Sequence, residues 1–247
     1  MKYLICVIRH QKPYDAGMSS SREKRGAADG NAPAYLVAEA ARYLRLPVAT
    51  LRSWVLGRQY EGGGQFHPLI RPASLRPTLL SFSDLIEAHV LRSLRAEHAV
   101  SVKALRSALE YAEKQLGIDR LLLRPELRTD AGKVFLDRYG KLIELSASGQ
   151  LVMRQAFDEH LKRIDWDSSR FPLRLFPFVS TAVPTDERPI VIDPRIAFGR
   201  PVVLRMGIST SAIADRIDAG EHVEDIAADY DLDASEINQA VLYERAA

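Results

Sequence analysis

A chain of 247 residues with 47% apolar content is long enough to bury one large core or several small ones, which excludes wholesale disorder. Its single cysteine, Cys6, excludes an internal disulfide and a cysteine-rich zinc site, and no uncharged apolar run approaches the roughly 18 residues of a membrane span. The net charge of +2 conceals an asymmetry: residues 1–130 carry 20 basic against 13 acidic side chains, residues 131–247 carry 14 against 19, and residues 211–247 carry 2 against 10.

A basic front half suits an anionic partner such as DNA, and an acidic tail suits a basic protein surface. The opening MKYLICVI is too short for a secretory apolar core and is followed by Arg9, His10 and Lys12, so a cytoplasmic protein is expected. Residues 1–32, which include SSSREKRGAADGNAP, read as a disordered leader in which Met18 stands as an alternative start. Helical periodicity begins at Tyr35. YLVAEAARYLRL puts Leu36, Val37, Ala40, Ala41 and Leu44 on one face; a turn with Pro47 leads into VATLRSWVLG, where Leu51, Trp54 and Val55 repeat at helical spacing and Gly57 stops the helix. RQYEGGGQFHPLIRP follows as a Gly-rich β-wing, which makes residues 33–75 a winged helix-turn-helix.

Residues 76–170 read as a linking and dimerising region. LSFSDLIEAHVLRSLR starts a helix at an N-cap of Ser81 or Ser83, and a second helix runs from Ser101 to Gly117. KVFLDRYGKLIELSASGQ is a hairpin, and QLVMRQAFDEHLKRI, residues 150–164, is an amphipathic helix entered at Ser146, Ser148 and Gly149. Residues 171–247 begin with the strand LRLFPFV, residues 173–179. VIDPRIAFGRPVVLRMGIST then gives two apolar runs joined by a turn at Gly199 and Pro201, with Ser209 or Thr210 capping the next helix. Three short helices close the chain: SAIADRIDAG, HVEDIAADY and ASEINQAVLYERA. The fold class is α+β and mainly helical, ending in a small sheet and a helix-turn-helix-like domain.

In a DNA-binding helix-turn-helix the second helix enters the major groove, so Thr50, Arg52 and Ser53 are placed to reach base edges or phosphates. Around the wing, Arg58, Gln65, His67 and Arg71 are placed to hold flanking phosphates. The C-terminal helices have similar proportions, but their 10 acidic residues would repel a phosphate backbone. They fit protein recognition instead, with Ile213, Ile217, Val223, Ile226, Ile237, Val241 and Leu242 behind an acidic face that includes Asp215, Glu221, Glu224 and Asp225. Enzyme chemistry is not announced. His67, His89, His98, His160 and His222 are scattered without metal-ligand spacing, Asp158, Glu159, Asp165 and Asp167 read as solvated surface, and Gly62–Gly64 lack the Lys and Ser/Thr of a phosphate loop. No catalytic residue, metal or cofactor is expected.

From DPRIAFGRPVVL through GISTSAIADRIDAGEHVEDIAADYDLDASEINQAVLYE the chain resembles the antitoxin domain known as domain of unknown function 433. With the MerR-like YLVAEAARYLRLPVATLRSWVLG and LSFSDLIEAHVLRSLR, it looks like the long VapB-like antitoxins over about residues 33–245. Gly199, Pro201, Val202, Ile208, Gly220, Ala228 and Tyr230 match the pattern; Arg205 and Met206 stand where Gly-Thr is usual, which moves the position tolerating a positive φ to Gly207. The resemblance implies a type II antitoxin that binds operator DNA to repress its own operon and silences a PIN-domain, VapC-type ribonuclease toxin, and a homodimer is expected. PIN nucleases hold metal with carboxylates, so Arg200 or Arg205 is a candidate to pair with them. The alternative is a MerR-like regulator whose C-terminal half senses a ligand or dimerises, with no toxin.

Overall fold

The computed structural model describes residues 30–60, 64–96, 106, 109–110, 113–114, 119–123, 160–169, 171–177 and 188–245. Within them lie six α-helices and ten short strands in three antiparallel sheets, a mixed α and β fold. The expected leader through residue 29, the hairpin of residues 133–150 and most of the helix expected at 150–164 lie outside the described residues.

The first helices form where periodicity places them. Helix α1 (Val37–Tyr43) buries Val37, Ala40 and Ala41, and α2 (Val48–Leu56) buries Leu51, Trp54 and Val55. Between them Arg45 takes φ 51°, which reverses the chain within residues 44–47, and Gly57 ends α2 at φ 74°. Leu36 is 51% exposed rather than facing the core, because it belongs to strand β1 (Tyr35–Leu36). A hairpin of β2 (Arg58–Tyr60) and β3 (Gly64–Phe66) follows as a wing. The returning chain is tied to α2 where Leu69 N and Ile70 N donate to Trp54 O at 2.7 and 3.1 Å.

A second hairpin spans residues 75 and 76, β4 (Ser74–Leu75) with β5 (Thr78–Leu80), and β5 pairs with β1 to make one three-stranded sheet. Helix α3 (Phe82–Ala96) is entered through a reciprocal cap: Asp84 N donates to Ser81 Oγ at 3.1 Å, and Ser81 N donates to Asp84 Oδ2 at 2.8 Å. Every residue from 82 to 91 is buried, charged ones included, so α3 is a central helix rather than a one-faced one. It shares one core with Leu51, Trp54, Leu80, Leu161, Leu175 and Ile192.

Residues 160 and 161 are helical, but 164–166 form a strand, so the expected helix stops short of Ile164. Strands β6 (Ile164–Trp166), β7 (Pro172–Leu175), β8 (Ile190–Ile192), β9 (Pro201–Val203) and β10 (Ile208–Ser209) form a five-stranded meander in chain order. The sheet therefore runs across the boundary expected at 170/171, and it is larger than the small sheet foreseen. Every residue of β8 and β9 is buried, which is what their unbroken apolar runs require. Helices α4 (Thr210–Asp218), α5 (Val223–Tyr230) and α6 (Ala234–Arg245) pack on it through Ile213, Ile226, Ile237 and Val241, whereas Leu242 is 54% exposed.

Candidate nucleic-acid interface and acidic helical face

On α2, Arg52 is exposed while Thr50 and Ser53 are half-buried. Ser53 Oγ donates to Thr50 O at 2.8 Å, so its proton serves the helix rather than an outside partner. Arg58 is exposed on β2, and Gln65 stands on β3 opposite Gln59. His67 is exposed, and its carbonyl accepts from Arg106 Nε and Nη2 at 3.1 and 2.8 Å. Arg71 is exposed and paired with Glu113, with Asp119 at 3.9 Å. Of the expected interface cations, Arg52 and Arg58 make no ion pair among the described residues. The outward face of α2 also carries Val48 and Leu56, each more than two-fifths exposed.

The C-terminal face is acidic but partly neutralised from within. Arg216 Nε lies 2.9 Å from both carboxylate oxygens of Glu221, and Nη2 reaches Asp229 at 2.6 Å, with the guanidinium 5.0 Å from the Tyr230 ring centre. Arg245 pairs with Asp218 at 2.9 Å. Arg205, expected to be available to a partner, donates through Nε and Nη2 to Glu236 Oε2 at 3.1 and 2.9 Å; the same oxygen accepts from Asp233 N. Asp215, Glu224 and Asp225 are exposed and make no ion pair among the described residues. The helix expected to be capped at Ser209 or Thr210 does begin there. Ser209 occupies the N-cap position without a side-chain bond to the helix, and the Thr210 hydroxyl donates to Glu244 instead.

Three groupings escape the sequence because they are assembled from distant segments. Asp193 is fully buried at the end of β8, bound by Arg174 Nε at 2.9 Å and Arg195 Nη2 at 2.7 Å. Burial pushes its carboxyl up, but the hydrogen bonds from Arg195 and Arg174 outweigh this and hold it below the usual carboxylate range. This is a structural clamp, not a small-molecule site. His89 and His160 lie buried with ring centres 5.1 Å apart, and burial first, then mutual repulsion, pushes His89 well below its ordinary value. A polar cleft of about 140 Å³ brings Glu39 and Arg42 of α1 against Arg200, Ser209, Ser211 and Glu244. Among the described residues, no cluster of His, Cys, Asp and Glu is placed to hold a metal, and no helix is long and apolar enough to cross a membrane.

The halves are joined through α1 and α6. Tyr243 OH donates to Tyr43 O at 2.8 Å, Arg45 Nη2 donates to Tyr243 O at 3.3 Å, and the Arg45 guanidinium lies 5.0 Å from the Tyr243 ring centre. Gly199 packs on Tyr35: a Cβ there would stand 2.1 Å from the phenol oxygen. The β8–β9–β10 strands with α4–α6 form the segment that known proteins share. Residues 190–243 match the family described as protein of unknown function DUF433. Over a longer span, the chain is 27% identical over 231 residues to a Mycobacterium tuberculosis protein named as a candidate antitoxin, VapB45, covering 85% of this chain and 92% of that one. It is also 27% identical over 215 residues to the uncharacterized protein Rv2308 of the same organism, covering 85% of this chain and 89% of the relative. The crystal structure of Rv2018 from Mycobacterium tuberculosis has a like fold, with a TM-score of 0.61 at 22% identity over 85% of this chain and 98% of that one. The likeness thus extends through the DUF433 segment and the N-terminal helices together.

Proposed function

We propose that this chain is the antitoxin of a type II toxin-antitoxin pair. It binds and silences a PIN-domain, VapC-type ribonuclease, and it binds operator DNA through α2 and the β2–β3 wing as a cytoplasmic homodimer. The observation that carries the reading is the likeness over 231 residues to a chain named as a candidate antitoxin, because it spans both halves rather than the DUF433 segment alone. The charge pattern supports it: Arg52 and Arg58 stand outward beside α2, while Asp215, Glu224 and Asp225 repel phosphate at the other end. Arg200, which has no ion-pair partner among the described residues, is the cation left to meet a nuclease carboxylate, since Arg205 is held by Glu236. Co-purification of the full chain with the product of the neighbouring open reading frame tests the reading; recovery of the two proteins apart, or a neighbour with no PIN domain, sinks it.

One observation favours the alternative, a regulator with a ligand-sensing C-terminal half. The cleft between α1 and α4 is lined by Arg42 and Arg200 and by the Ser209, Thr210 and Ser211 hydroxyls, at the junction through which the halves touch. That reading requires operator affinity to change with a small molecule in the absence of any nuclease.

A further inference from the structure

The connection between β8 and β9 is built so that its largest apolar residue points away from the core. Ile196 and Ala197 pack on Phe176, Val191 and Val202, yet Phe198 is 92% exposed. Ala197 and Phe198 both sit in the left-handed region, at φ 48° and 57°, which side chains rarely adopt and glycine adopts freely. Strain of this kind persists only where the surroundings enforce it. They do so here through Ile196 N to Asp193 O at 2.9 Å, Gly199 N to Ile196 O at 2.9 Å, Arg195 N to Asp193 Oδ1 at 2.9 Å, and the close seat of Gly199 on Tyr35. The aromatic ring is thus held outward on a fixed loop, at little cost in ordering when it is covered.

The flanks are cationic. Arg195 is about two-fifths exposed although bound to Asp193, and Arg200 is exposed with no ion pair among the described residues. An aromatic anchor beside arginines is the composition of a protein-binding hot spot. Under the antitoxin reading, on which this step rests, we infer that Phe198 is the anchor of nuclease binding. It inserts into an apolar pocket on the nuclease whose edge carries carboxylates facing Arg200. The acidic face of α4–α6 is a separate surface.

The test is titration of the purified full chain against the purified product of the neighbouring open reading frame, the nuclease of this reading, with melting temperature and solution mass measured in parallel. F198G relieves the left-handed strain, so its melting temperature is expected to equal or exceed that of the parent while its affinity falls about 10- to 30-fold. F198W keeps an aromatic anchor and is expected to stay within about threefold, and R200E is expected to weaken binding and reverse its salt dependence. Parent-like affinity in F198G overturns the anchor while leaving the antitoxin reading standing, and no binding by the parent chain overturns both. A change in self-association with unchanged nuclease affinity also overturns it, because the ring would then cover a second copy of this chain.

Discussion

Arg52 is the side chain on α2 that combines outward placement with a charge not bound internally among the described residues. If α2 faces DNA, R52A should weaken binding to the cognate promoter by about 1–3 kcal/mol if the side chain reads a base, or lower the salt slope by about one if it holds a phosphate. Fluorescence anisotropy across a salt series distinguishes the two, and unchanged binding would show that α2 does not face DNA. Glu87 tests the interior. One guanidinium, Arg120, serves two buried carboxylates: Nη2 lies 2.8 Å from Glu87 Oε2 and also bonds Asp84. Burial pushes Glu87 up to about 7, with the Arg120 hydrogen bond and charge pulling down and Asp84 pushing up. A carboxyl raised on folding contributes stability that is fully present below its unfolded value of 4.5 and is lost as pH rises through 7. The melting temperature should therefore fall from pH 5 to pH 8 more steeply in the parent than in E87Q; equal slopes would contradict this account.

The joined elements most open to test are α1 and α6. Tyr243 is buried and donates to Tyr43 O at 2.8 Å, so Y243F leaves a main-chain carbonyl without that donor. A loss of about 1–2 kcal/mol, seen as a melting temperature lower by about 2–8 °C, is expected. An unchanged melting temperature would mean that this bond does not hold the halves together. At the same scale, sequence periodicity located α1, α2, α4, α5 and α6, and Gly57 as the stop of α2, because each of these helices buries one stripe. It also located α3 and its cap at Ser81, but not the enclosure of Asp84, Glu87 and His89 by neighbours far along the chain. Strands β4 and β5 were illegible because two- and three-residue strands carry too few positions for alternation to register. Of the candidate site, the exposed Arg52 and Arg200 were legible from type and position. The capture of Arg71 by Glu113 and of Arg205 by Glu236 was not, since each pairing depends on tertiary approach across more than thirty residues. The outward Phe198 was hidden for a different reason: in a turn between two apolar runs, its type does not say which way it faces.

For the molecule as a whole, the acidic C-terminal segment is not an appendage. Ile192 belongs to the N-terminal core while its neighbour Ile190 belongs to the C-terminal one, so the central sheet ties the two cores together. Exposed cations on α2 and β2, an acidic helical surface on α4–α6 and an outward aromatic loop thus ride on one body. The most direct measurement is growth of cells in which a PIN-domain nuclease, sought as the product of the neighbouring open reading frame, is induced with and without this chain. The account predicts that growth arrest occurs with the nuclease alone and is relieved by co-expression of the full chain; persistent arrest with both proteins soluble at equal levels would contradict it.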